Sequence, residues 1–149
     1  MPDIYGSIVL ANTYFGERLD SRVWEVTAIG DRTKALIMAT RAIDRLNFAG
    51  EKYLASQTLQ FPRETDTSVP AAILEACYEC AIAFLDGVDM GLEQENLGVV
   101  AHAYSGARTT YNEHFSQDHI RAGIPSAAAW QLLMPFLRDP REVIIRRVS

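Results

Sequence analysis

The chain has 149 residues, 48% of them hydrophobic and 22% charged, with 14 Lys+Arg against 19 Asp+Glu for a net charge of −5. That length supports one domain around one core, and no apolar run reaches the roughly 18–20 residues of a membrane-spanning helix. An acidic body repels a phosphate backbone, which disfavours tight electrostatic binding to nucleic acid.

The opening "MPDIYGSIVLANTYF" has no basic segment ahead of its short apolar patch, so no secretory signal is expected and the cytoplasm is. Four segments then carry helical periodicity. The first covers about 11–19, with Leu10, Tyr14, Phe15 and Leu19 on one face, and Trp24 and Val26 follow in a short connection. The second opens on Asp31 as N-cap. It sets Ala35, Leu36, Ala39, Ala42, Ile43 and Leu46 in one apolar stripe, with Arg32, Arg41, Asp44 and Arg45 largely off it. It ends near Asn47 to Gly50, where Gly50 suits a left-handed C-terminal position.

Phe61, Pro62 and Arg63 come next. Phe61 is biased to extended backbone by the proline after it, and Pro62 fixes its own φ. Phe61 is expected to pin this loop to the core, and Arg63 to serve either as a hydrogen-bond donor anchoring the loop or as a subunit contact. After the polar run "RETDTS", Pro70 opens a third helix, on which Ile73, Cys77, Cys80, Ala81, Phe84 and Val88 recur on one face through residue 89, with Gly91 as its stop. From 93 to 118 the helical period is lost. Val99, Ala101 and Ala103 alternate with Val100, His102 and Tyr104, a Ser-Gly pair follows, and the stretch reads as a hairpin or extended arm. "GIPS" at 123–126 announces the last helix, capped by Ser126, with Ala129, Trp130, Leu133, Phe136 and Leu137 as its buried face and Pro135 kinking or splitting it.

The end, "REVIIRRVS", is β-branched and reads as an extended tail. Residues 138–149 hold Arg138, Arg141, Arg146 and Arg147 against Asp139 and Glu142, a net +2, which leaves −7 on residues 1–137. The expected fold is therefore mainly α: a small bundle of about four helices over 1–137, including an arm at about 93–118, and a basic tail over 138–149.

Little in the chain resembles catalytic machinery. Cys77-Tyr78-Glu79-Cys80 is a C-x-x-C, but both thiols fall mid-helix on the apolar stripe with no strand before them, where cysteine packs as a small hydrophobe. His102, His114 and His119 do not have metal-ligand spacing and read as solvated loop residues. There is no G-x-S-x-G elbow, and "YSGAR" lacks the glycines and lysine of a phosphate loop. No enzyme, cofactor or metal is expected. Tyr104, Tyr111 and Phe115 with Arg108 form a possible stacking platform for a single strand. Glu93, Glu95, Glu113 and Asp118 bracket that segment, so a contact between subunits through Val99, His102, Tyr104, Arg108 and Tyr111 is favoured over it.

The order "TYFGERLDSRVW", "KALIMATRAIDRLNFAG", "QTLQFPRE", "VPAAILEACYECAIAFL" resembles the head–tail adaptor, or head-completion, family of tailed double-stranded DNA bacteriophages. The positions that carry the likeness are Tyr14, Phe15, Trp24, Ala35, Leu36, Ala39, Thr40, Gly50, Phe61, Pro62, Arg63, Pro70, Glu75 and Ala76. Phe61 stands where that family often has tryptophan. The resemblance implies a virion structural protein that forms a ring, expected to be a 12-mer, beneath the portal protein. Such a ring extends the DNA channel, passes double-stranded DNA without specific binding and docks the tail or the next completion protein. It further implies a location at the head–tail interface, with the host cytoplasm during assembly. On that reading Arg138, Arg141, Ile144, Ile145, Arg146 and Arg147 are portal-contact candidates, and no membrane is involved. Some relatives bear the name DnaT-like single-stranded-DNA-binding protein, which the acidic body disfavours. A single-stranded-DNA-binding or replication accessory module is the alternative.

Overall fold

The computed structural model describes residues 2–97, 101–104, 107–110 and 118–139, the two short segments 101–104 and 107–110 as backbone. Its elements are α1 (Ile8–Gly16), α2 (Arg22–Val26), α3 (Ile29–Asp44), α4 (Ala71–Leu85), α5 (Met90–Asn96), β1 (Ala101–Tyr104), β2 (Ala107–Thr110), α6 (Asp118–Arg121) and α7 (Ala127–Leu133), the last running into a 3₁₀ turn at Met134–Phe136. The mainly helical class read from the sequence is the class observed, with an antiparallel β1–β2 hairpin as its only described sheet.

α4 is the central element. It packs chiefly against α3 and α7 and also touches α1 and α2. The reason lies in its composition: Ala76, Cys77, Cys80 and Ala81 are small and fully buried, and the facing positions of α3 include Ala35, Ala39 and Ala42. Small side chains on both helices let the backbones approach closely, and the larger Leu36, Ile43 and Ile73 fill the rest. Surrounded on several sides, α4 buries even Tyr78 and Glu79. The Glu79 carboxylate is compensated: it accepts from the Tyr14 hydroxyl at 2.6 Å and pairs with the Arg18 guanidinium, as a buried charge requires.

Several boundaries differ from the sequence reading, each for a local reason. α1 begins three residues early because Ser7 Oγ accepts from the Leu10 amide at 3.2 Å. The Trp24 connection is a short helix, with the indole N–H donating to Asn12 Oδ1 at 2.8 Å and the ring 4.8 Å from that of Phe15. Asp31 is not the cap of α3. Ala28 holds that place, its carbonyl accepting from the Asp31 and Arg32 amides, and Asp31 in the first turn pairs with Lys34 at 3.0 Å.

α4 stops at Leu85 rather than continuing to residue 89. Gly87 takes φ +96°, and Gly87 and Val88 donate back to the Phe84 and Ala83 carbonyls, the usual way a helix closes on a left-handed glycine. Asp89 then caps a new helix, accepting from Gly91 and Leu92, so Gly91 sits inside α5 instead of ending α4. Residues 93–96, expected to be non-helical, continue α5, and His119 lies on the short α6 instead of in a loop. At the far end Ser126 caps α7 through the Ala129 amide at 3.2 Å, and Pro135 coincides with the change from α to 3₁₀ geometry.

Candidate functional site

The apolar stripe of α3 faces α4, which leaves Arg41 and Arg45 on its exposed edge, one helical turn apart. Residues four apart on a helix are neighbours, about 5–6 Å between Cβ atoms. Among the described residues neither guanidinium has a salt bridge. Three acids lie beside them: Asp44, which accepts from the Tyr5 hydroxyl and the Gln60 amide, and Asp3 line the smaller of two grooves, and Asp89, which accepts from two amides of α5, lines the larger. The two arginines form a ridge between two grooves. One, of about 620 Å³, is lined by both arginines with Met38, Phe84, Met90 and Gln94. The other, of about 450 Å³, is bounded by Ile37, Thr40, Thr58 and Leu59.

α5 and α6 meet beside the larger groove. Gln94 Nε2 donates to the Ile120 carbonyl at 3.2 Å, which ties α5, before the hairpin, to α6, after it. Gln94 and Gly123 both line the groove. The β1–β2 register pairs His102 with Thr109, Ala103 with Arg108 and Tyr104 with Ala107, so Tyr104 and Arg108 fall in adjacent cross-strand pairs. Val99, Tyr111 and Phe115 lie outside the described residues, as do Arg141, Ile144, Ile145, Arg146 and Arg147.

The remaining site candidates belong to one loop anchor. Phe61 is buried, with its ring edge-on to Tyr5, Phe48 and Phe136 at 6.2, 4.7 and 5.6 Å. The Phe61–Pro62 bond is cis, and the Pro62 carbonyl accepts from Tyr53 N at 3.0 Å and Gln57 Nε2 at 2.8 Å. Arg63 donates to the Phe48, Ala49, Gly50 and Gln60 carbonyls. Arg138 joins the same loop, its amide 3.0 Å from the Asn47 carbonyl and its guanidinium 3.4 Å from that of Gly50. Arg63 is thus committed to backbone carbonyls, whereas Arg138 makes one long contact and its buried Nε has no partner among the described residues.

Burial pushes the Cys77 thiol up to about 12, with the Thr40 hydroxyl partly opposing it, and holds Cys80 well above the usual thiol range. Both are free thiols in the core, without the thiolate character that redox work needs. Partial burial pulls His119 below its usual value. Among the described residues no group of three or more His, Cys, Asp or Glu is placed to hold a metal ion, and no helix is long and apolar enough to cross a membrane.

The described residues thus form a helical domain with an arginine ridge beside a groove. The chain belongs to the family described as "Putative DnaT-like ssDNA binding protein", whose family model matches residues 5–148. No curated protein and no solved structure matches it. The family match overturns the resemblance to phage head–tail adaptors, and the description as a portal-binding virion connector falls with it. Of the fourteen residues that carried that likeness, eight (Phe15, Trp24, Ala35, Leu36, Ala39, Thr40, Phe61 and Ala76) are buried here. They record how a small helical core is packed, and a core says little about what its surface meets.

The sequence reading passed over Arg41 and Arg45 as a site. It had the clue, since both lie off the apolar stripe at a spacing of four. What it lacked was the position of Phe84 and α5, which turn a polar helix edge into one wall of a groove.

Proposed function

We propose that this chain is a non-enzymatic single-stranded-DNA-binding module of the replication-accessory kind. The observation that carries the reading is the family match across residues 5–148, nearly the whole chain. The surface chemistry is consistent with it. Arg41 and Arg45 are exposed beside a groove of mixed character, with Met38, Phe84 and Met90 as apolar patches beside Asp89 and Gln94, and single-strand binders combine cations that track the backbone with apolar or aromatic surface for unpaired bases. The net charge of −5 weakens long-range attraction, but at 0.1 M salt the Debye length is about 10 Å, so the local balance decides: two arginines against Asp89 on the wall of this groove.

The test is fluorescence anisotropy of a labelled oligothymidylate and of a duplex of equal length, titrated with the full chain over a series of salt concentrations. The expected result is preference for the single strand, with log affinity falling against log salt by roughly 0.7 per neutralised phosphate. Absence of binding to the single strand at low salt would overturn the reading.

A further inference from the structure

We infer that the strand runs along the groove between α3, α4 and α5, with Arg41 and Arg45 holding neighbouring phosphates and Phe84 and Met38 meeting an unpaired base. The inference rests on the single-stranded-DNA reading above and assigns the surface that performs it. Among the described side chains most other basic residues are occupied, while Arg22 and Arg121 are exposed but do not line this groove. Arg18 is paired with Glu79. Arg32 lies over the Trp24 ring and donates to Asn12 and the Glu25 carbonyl. Lys34 is paired with Asp31, and Arg63 and Arg138 hold the loop after α3. Arg41 and Arg45 have no such partner among the described residues, and both reach the same groove.

A guanidinium presents a fork of donors suited to phosphate oxygens. Two of them one turn apart are spaced like adjacent groups on a flexible strand rather than scattered over a surface. Between them and α5 the groove offers Met38, 48% exposed, and Phe84 at about 620 Å³, within the usual range of roughly 300–1,000 Å³ for a ligand site. Apolar contact with a base face is available in a single strand and hidden by stacking in a duplex, which gives the site its selectivity.

The experiment compares Arg41→Gln/Arg45→Gln with Arg22→Gln/Lys34→Gln, a pair of exposed residues outside the groove whose loss changes net charge equally. In the anisotropy assay the first variant should lose about tenfold or more in affinity for oligothymidylate, and its salt slope should fall by about 1.4, the contribution of two phosphates to a single strand. The second should bind like the parent chain, and Arg41→Lys/Arg45→Lys should recover most of the lost affinity. Phe84→Leu should reduce the preference for oligothymidylate over an abasic strand of the same length. Equal losses in both Gln pairs would mean bulk charge alone is at work and would overturn the groove assignment. So would unchanged binding by Arg41→Gln/Arg45→Gln, while leaving the proposed function standing. Failure of the parent chain itself to bind would remove both.

Discussion

Phe61 and Arg63 sit two residues apart and do different work. Phe61 brings three aromatic rings together from the N-terminal segment, the loop after α3 and the turn after α7. Removing it leaves a cavity that none of those three can fill alone. Phe61→Ala is therefore expected to lower stability by about 3–5 kcal/mol, as large aromatic truncations in cores do, seen as a lower urea midpoint with an unchanged slope. A midpoint within experimental error of the parent chain would show that the cluster is dispensable. An aromatic before a proline between two helical stretches announces a buried anchor, and that much is legible in the sequence. The partners of Arg63 are not: its acceptors at 48, 49 and 50 come within reach only after the loop has folded back on the end of α3.

At the scale of elements, glycine position decides the ends of helices. Gly87 ends α4 with φ +96° and open space where a Cβ would stand, whereas Gly30 lies in the first turn of α3, also with open space but without a positive φ. The two should respond oppositely to alanine. Gly87→Ala should cost roughly 1–2 kcal/mol, the left-handed penalty for an L-residue, and Gly30→Ala should stabilise by up to about 1 kcal/mol through helix propensity and a less free unfolded chain. Paired thermal melts measure both, and a stabilising Gly87→Ala would refute the capping role. Periodicity located α3 and α4 because each repeats its apolar stripe over several turns. It missed α2, α5 and α6, which have 5, 7 and 4 residues and no apolar stripe like the one that runs from α7 into the 3₁₀ turn. α2 packs against α4, Asp89 caps α5, and α5 and α6 pack against each other.

For the molecule as a whole, burial of ionisable groups sets a pH limit. Cys77 is pushed up to about 12 from 9.0 and Tyr14 to about 12 from 10.0, and Cys80 is also raised, in each case chiefly by burial. The folded state keeps these protons where the unfolded chain loses them, so their contribution is complete below about pH 9 and declines as pH rises towards 12. Urea midpoints should fall from pH 8 to pH 11, and Cys77→Ala/Cys80→Ala should flatten the decline relative to its own value at pH 8. A flat profile in the parent chain would contradict the burial. By itself the sequence determined the helical class, the two long helices, the aromatic anchor at Phe61 and the structural character of the C-x-x-C, because periodicity, proline and cysteine context act over a few residues. Only the tertiary structure decided which cations are occupied and which are open. Arg63 and Arg138 look as available in the sequence as Arg41 and Arg45, but the first two turn onto carbonyls of one loop and the second two line a groove. That difference arises from contacts between residues far apart in the chain, and net charge averages it away.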